Sequence, residues 1–133
     1  MDFSAHQKKF PADIAGYFRS SWETRELWHL ETPRRALRIE ELEWHLDYPF
    51  CSSDPPAPLF DLTPRAVLEN PQRFPGHWRR MLHADLSFPI HVSAFGERWV
   101  ILDGIHRLLK SIIGGVVVME CKLVPREHLR IVA

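Results

Sequence analysis

Residues 99–113 constrain the fold of this chain more than any other stretch. Four apolar residues at 99–102 lead into an Asp-Gly pair at 103–104. Apolar side chains then recur at the i, i+3, i+4 and i+7 positions, as Ile105, Leu108, Leu109 and Ile112. The first pattern is typical of a buried strand and the second of an amphipathic helix. Glycines at 114–115 can end that helix in the left-handed conformation, so the sequence predicts a strand, a turn and a helix.

The residues at this turn are suited to binding an anion. The first N–H groups of a helix have no partner inside it, and the helix dipole favours negative charge there. Arg107 can offer phosphate a bidentate fork, and His106 a titratable donor. Lys110, one helical turn after His106, can approach the same ligand. In the alternative interpretation Asp103 only caps the helix, Gly104 only makes the turn, and the three basic side chains are solvated.

The composition favours one folded domain and excludes some partners. The chain has 133 residues, of which 45% are hydrophobic, enough for a core. Its 17 basic and 17 acidic residues balance, which argues against broad electrostatic capture of nucleic acid or of an anionic membrane. The N-terminus lacks the apolar core of a signal peptide, and the apolar run at 115–119 is only strand-sized. Cys51 and Cys121 form no CxxC motif, so we expect reduced thiols in a cytoplasmic protein, with its oligomeric state left open.

Helix and turn signals predict most of the elements before residue 89. Pro11 suits the start of one helix, and the sequence at 20–23 resembles a capping box for a second helix that runs toward Leu30. Alternation at 35–40 predicts a strand. Two more helices are expected, one from Thr63-Pro64 to just before Pro71 and one over 75–85, with Trp78, Met81 and Leu82 facing inward. The Pro-rich segment 51–59 is expected to be a loop.

The C-terminal third is predicted to hold a hairpin and a strand–helix–strand unit. Alternation at 89–95, a Gly-Glu turn and the run at 98–102 predict the hairpin. A last strand is expected at 116–124 and one helical turn at 125–129. Residues 98–124 would form a βαβ unit with a right-handed crossover. Residues 103–107 would then lie beyond the carboxyl end of a parallel strand, where ligands of open α/β sheets usually bind.

The motif Asp-Gly-Ile-His-Arg at 103–107, with its flanking strand and helix, resembles the ParB/sulfiredoxin-like superfamily. The resemblance is best over 89–124, weaker over 36–48, and does not reach 1–35. It implies an α/β (α+β) fold: a small mixed sheet with flanking helices and a C-terminal βαβ unit. We therefore expect an N-terminal helical extension at 1–35 and a ParB/sulfiredoxin-like domain at 36–133, in one compact unit.

The resemblance also implies a ligand and a cofactor. In members that use ATP, the His and Arg of this motif contact nucleotide phosphates. Carried over to this chain, the motif implies that Asp103, Gly104, Ile105, His106 and Arg107 bind phosphate, with Lys110 nearby. The implied nucleotide is ATP or ADP, with CTP as an alternative, together with Mg²⁺.

Departures from the superfamily narrow the expected activity. Ile105 stands where sulfiredoxins place their reacting cysteine, which argues against sulfinic-acid reduction. The Gly-Glu-Arg-Arg signature and DNA-binding domain of partition-type ParB proteins are missing. The nearest signature is that of the free-serine kinases, which implies phosphate transfer to the hydroxyl of a small acceptor molecule.

Such a kinase needs a carboxylate that acts as a base. In the kinases that this chain resembles, that carboxylate lies shortly after the first strand. Asp47 is the first candidate here, followed by Glu41 and Glu43, and the same residues can equally be solvated surface carboxylates. We expect Asp47 to face the phosphate site, under the loop at 51–59. Two alternatives stay open: a non-catalytic nucleotide-binding switch, and a ParB-like DNA-associated or nuclease-type protein.

Overall fold

The computed structural model describes residues 9–53 and 60–131. Its helices are α1 (Thr24–His29), α2 (Pro64–Glu69), α3 (Pro75–His83) and α4 (Ile105–Ile113). Its strands are β1 (Ser20–Ser21), β2 (Arg34–Arg38), β3 (Ile90–Phe95), β4 (Arg98–Asp103), β5 (Val118–Leu123) and β6 (Arg130–Ile131). Single 3₁₀ segments occupy Ala12–Arg19, Ile39–Glu41, Glu43–Asp47 and Arg126–His128.

The main sheet is mixed, with strand order β2-β5-β3-β4. β2 and β5 are antiparallel, β5 and β3 are parallel, and β3 and β4 are antiparallel. A second, two-stranded sheet pairs β1 with β6 and so joins the N-terminal segment to the C-terminal one. The predicted α/β class, a small mixed sheet with flanking helices, is confirmed.

The direction of β4 corrects one part of the prediction. Strand, helix and strand do follow one another as β4, α4 and β5, but β4 runs opposite to β5 because β3 lies between them. The tight turn at 96–97 makes β4 antiparallel to β3, and β4 is at an edge of the sheet. Residues 103–107 therefore follow the carboxyl end of an antiparallel edge strand, and the expected parallel crossover is wrong.

The turn between β4 and α4 requires glycine. Gly104 has a φ of 123°, which L side chains rarely adopt, and a Cβ at this position would collide with the side chain of Ile90. At the other end of α4, Gly115 has a φ of 71°, and the Val116 N–H donates to the Ser111 carbonyl at 2.9 Å. The predicted helix 105–113 and its glycine stop are both confirmed.

The sheet is packed on both faces. One face meets α4, and this cluster includes Ile90, Val92 and Leu108. The opposite face meets the N-terminal segment, where Ile14 and Phe95 are fully or almost fully buried. A third cluster packs α2 and α3 against the outer side of α4, so α4 is covered on two sides.

Some local signals before residue 89 hold and others do not, and the helix expected to start at Pro11 is a 3₁₀ segment with a kink at Ile14. Thr63 caps α2, because its Oγ1 accepts from the Ala66 N–H at 3.1 Å. The expected capping box at 20–23 is instead the short strand β1, and Leu82 is 65% exposed rather than inward. The first main-sheet strand ends at Arg38, and 3₁₀ turns replace its predicted last residues.

Candidate anion-binding site

The motif at 103–107 lines a cavity of about 550 Å³ at the N-terminus of α4. All five of its residues contribute to the wall. The other lining residues come from the N-terminal segment, the loop after the 3₁₀ segment Glu43–Asp47, the end of α3, the loop before β3, and β4: Tyr17, Phe50, Arg80, His83, Ala84, Asp85, Phe88, Ile101 and Leu102. The volume falls in the usual range of small-molecule sites.

The N-terminus of α4 has no side-chain cap. Gly104 is the N-cap residue, and the first backbone hydrogen bond of the helix runs from the Leu108 N–H to the Gly104 carbonyl at 3.0 Å. The N–H groups of residues 105–107 come before that bond and have no partner inside the helix. These donors and the positive end of the helix dipole lie at the cavity wall, an arrangement that favours an anion.

Asp103 orients its neighbours instead of capping the helix, contrary to the simplest sequence interpretation. Its Oδ2 accepts a hydrogen bond from Trp28 Nε1 at 3.0 Å. The same oxygen lies 3.8 Å from Arg107 Nη1, and that guanidinium also donates to the Pro89 carbonyl at 3.4 Å. Arg107 is thereby held at the mouth of the cavity with one-fifth of its side chain exposed.

A hydrogen-bond chain fixes the tautomer of His106. His77 Nε2 lies 2.8 Å from the Ser52 carbonyl, which can only accept, so this nitrogen carries a proton. In neutral His77, Nδ1 is then an acceptor, and His106 Nε2 donates to it at 3.0 Å. Burial, and then the neighbouring His77 and Arg80, lower the pKa of His106 to about 4. At neutral pH His106 is therefore uncharged and presents Nδ1 as an acceptor, which corrects its expected role as a ready donor to phosphate.

The ammonium group of Lys110 links α4 to the end of α3. Its Nζ donates to the backbone carbonyls of Leu82 at 3.0 Å and Ala84 at 2.7 Å. These carbonyls end α3, where a cation also complements the helix dipole. Lys110 is therefore not among the described residues that line the cavity, although the sequence places it one helical turn after His106.

Sequence reasoning missed two basic residues that line the cavity. Arg80 and His83 lie one helical turn apart near the end of α3, so they share a face of that helix. Their i, i+3 spacing was the available signal.

The predicted catalytic carboxylates lie elsewhere, which corrects the expectation that Asp47 faces the cavity. Asp47 accepts two hydrogen bonds from Arg65, at 2.7 and 3.2 Å, in an exposed ion pair that lowers its pKa. Glu41 accepts from the Arg38 N–H at 2.9 Å. Neither of them, nor Glu43, is among the described residues that line the cavity. Most of the loop expected to cover Asp47, at 54–59, falls outside the described residues.

The carboxylates that do line the cavity are Asp85 and Asp103. Asp85 accepts hydrogen bonds from the Ser87 hydroxyl at 2.7 Å and the Ser87 N–H at 2.9 Å, and these bonds lower its pKa. Within residues 9–53 and 60–131, no three His, Cys, Asp or Glu side chains gather in an arrangement that would hold a metal ion on its own.

The site therefore combines free helix N–H groups, basic side chains and two carboxylates around one cavity. None of the described helices has the length and apolar character needed to cross a membrane. Comparison of the chain with known protein families, with curated proteins and with solved structures gives no match.

Proposed function

We propose that this chain is a ParB/sulfiredoxin-like nucleotide-binding protein that holds nucleotide phosphates at the N-terminus of α4. One observation carries the proposal. The residues of the Asp-Gly-Ile-His-Arg motif line a single cavity together with the basic side chains Arg80 and His83. Helix N–H groups and guanidinium groups are the donors that phosphate oxygens prefer.

Each part of the cavity has a role in this proposal. The N–H groups of 105–107 and the guanidinium groups of Arg80 and Arg107 bind the phosphates. Tyr17, Phe50 and Phe88 form an aromatic wall suited to the planar base. The uncharged His106 accepts a hydrogen bond at Nδ1 from a hydroxyl group. ATP or ADP is the proposed ligand, with CTP as the alternative base.

The carboxylates fit a role for Mg²⁺ beside the phosphates. Magnesium is commonly held by one or two carboxylates together with substrate phosphates, so a complete protein cage is not required. Asp103 is the residue that would hold it, and the ion would neutralise phosphate charge.

A second candidate function is phosphate transfer to a small alcohol, as the resemblance to free-serine kinases implies. Asp85 supports it, because this carboxylate lines the cavity, where it can orient the hydroxyl group of an acceptor. Asp85 therefore replaces Asp47 as the proposed base. Nucleotide binding without turnover on a panel of small alcohols would favour the switch instead, and loss of turnover in Asp85→Asn with intact binding would support the kinase.

The binding proposal is tested by calorimetry with ADP, ATP, CTP and GTP, each with and without Mg²⁺. Arg80→Ala should weaken the preferred nucleotide about tenfold, the scale of a charged hydrogen bond. Arg79→Ala is the matched control, because it removes the same charge from the neighbouring position, outside the cavity lining. Equal affinity in both variants, or no nucleotide binding at all, would contradict the proposal.

A further inference from the structure

Four ionisable residues form a row straight across the main sheet. Arg34 on β2 pairs with Lys122 on β5, Lys122 pairs with His91 on β3, and His91 pairs with Asp103 on β4. Residues paired in register project to the same face of a sheet, so the four side chains share one face. This row borders the N-terminal segment, on the face opposite α4.

A second cavity, of about 450 Å³, lies over this row. Three basic side chains and one histidine line it, together with an apolar wall. The basic residues are Arg34, Arg107 and Lys122, the histidine is His91, and the wall consists of Trp28, Phe88 and Pro89. It shares only Phe88 and Arg107 with the first cavity. The two cavities therefore adjoin at the start of α4 and are otherwise built from different elements.

The cations of this cavity are poorly neutralised. Arg34 and Lys122 carry like charges at directly opposed positions, an arrangement that normally destabilises a sheet. Arg34 has no ion pair within the described part of the chain, and Lys122 Nζ meets only the Leu30 carbonyl, at 3.4 Å. The nearby carboxylate, Asp103, lies 3.8 Å from Arg107 Nη1 and accepts from Trp28 Nε1, but it forms no ion pair with Arg34 or Lys122. Positive charge thus exceeds negative charge around the cavity.

His91 supplies an independent observation. The residue is only 3% exposed, yet neither ring nitrogen has a hydrogen-bond partner among the described residues. Asp103 Oδ2 lies 3.8 Å from Nδ1, and the Leu27 carbonyl is near the ring without forming a hydrogen bond. Buried polar groups of folded proteins are normally paired, so an orphaned imidazole in the wall of a cationic cavity points to a missing ligand.

We propose that this second cavity binds a small organic anion, a carboxylate or phosphate attached to an apolar or aromatic body. The anionic group lies against Arg34 and Lys122, where His91 completes its hydrogen bonding. The apolar body lies against Trp28 and Phe88, which are 52% and 61% exposed in the free protein. The site stands whether or not the first cavity binds a nucleotide.

The test uses the full chain and three probes that share one aromatic body: phenyl phosphate, benzoate and uncharged benzyl alcohol. Calorimetry should detect binding of at least one of the two anions and none of benzyl alcohol. Arg34→Gln and Lys122→Gln should each weaken the bound anion about tenfold. Arg35→Gln is the matched control, because it removes the same charge from the next residue, on the opposite face of β2, and should leave affinity unchanged.

The two anions distinguish a phosphate ligand from a carboxylate ligand, since the preferred one should bind more tightly. ADP titrations separate this site from the first cavity: Arg34→Gln should leave ADP affinity unaltered, and ADP should not displace the anion competitively. Anion binding that is insensitive to Arg34 and Lys122 but blocked by ADP would overturn the second site while supporting the first. Absence of binding by both anions at millimolar concentration would also overturn it.

Discussion

His45 and His91 are both buried, yet the two regions around them use the imidazole in opposite ways. His45 Nδ1 lies 2.7 Å from the Leu42 carbonyl, and its Nε2 accepts from the Ile101 N–H at 3.0 Å. Both nitrogens are used, and the ring ties a 3₁₀ turn to β4. His91 uses neither nitrogen among the described residues. A fully paired histidine contributes to the stability of the fold, whereas an unpaired one at a cavity indicates a place for a ligand.

His106 falls between these two cases. One of its nitrogens donates to His77, and the other belongs to a ring that lines the first cavity. Among the described residues, the fold uses both ring nitrogens of His45, one ring nitrogen of His106 and neither of His91. We therefore expect a substitution to lower the free energy of unfolding more where the fold uses more of these nitrogens.

The largest effect is expected from His45→Leu. This change keeps most of the side-chain volume but leaves the Ile101 N–H without its partner, while the Leu42 carbonyl keeps only the backbone N–H of residue 45. We expect the free energy of unfolding to fall by about 2 kcal/mol, since one buried unpaired N–H costs about 1–3 kcal/mol. Urea denaturation of the variant and the wild type measures it. A loss below about 1 kcal/mol would mean that the pairing of His45 contributes little.

Acidification should produce the next largest effect, with a definite sign. Burial lowers the pKa of His45 to about 3, from 6.5 in the unfolded chain. The unfolded state therefore binds more protons between these values, so stability is full above pH 6.5 and is lost as the pH falls toward 3. The pKa of His106, lowered to about 4, adds to the loss in the same direction.

The acid effect sharpens the comparison when it is measured in His45→Leu. The His45 contribution is absent from that variant, so its stability should depend less steeply on pH between 6.5 and 4. Urea midpoints at several pH values give the two slopes. Identical slopes would assign the acid sensitivity to other groups, such as His91. Burial lowers the pKa of His91, Asp103 raises it, and Lys122 and Arg107 lower it.

The same substitution at His91 should have a much smaller effect. His91→Leu leaves no hydrogen-bond partner orphaned among the described residues, and replacing an unpaired polar group with an apolar one can be neutral or stabilising. We expect the free energy of unfolding to change by less than about 1 kcal/mol. A loss as large as that of His45→Leu would break the comparison and would show that His91 has a structural partner.

The smallest effect is expected outside both regions, at Asp47. Its ion pair with Arg65 is exposed, and pairs of this kind contribute little to stability. Asp47→Asn should leave the melting temperature and the affinity for nucleotide unchanged within error, because the residue does not line the cavity. Reduced nucleotide affinity in this variant would restore Asp47 as a site residue.

Much of the local structure could be predicted, because its signals are local. The helix at 105–113 follows from apolar spacing and two glycines, and the start of α2 follows from the Thr63-Pro64 pair. The hairpin of β3 and β4 follows from alternation around a glycine turn. Each of these signals acts between residues a few positions apart, where sequence and geometry are directly linked.

The candidate site could be predicted only in part. The motif at 103–107 was identified from its own residues, and it does line a cavity. Lys110 and Asp47 were assigned wrongly, because spacing along the chain does not reveal that the end of α3 and Arg65 lie closer. Arg80 and His83 join the motif only through the packing of α3 on α4.

The sequence alone determined the helix α4 with its glycine turn, the Thr63 cap of α2 and the hairpin of β3 and β4, since propensity and side-chain periodicity act over a few residues. Tertiary structure decided the rest. The order of the strands places β4 at the edge of the sheet, and the register of their pairing aligns Arg34, Lys122 and His91 with Asp103. These residues lie up to 88 positions apart, from 34 to 122, so only the backbone pairing of separate strands could bring them together. The second cavity is a consequence of that pairing, and no local sequence pattern predicts it.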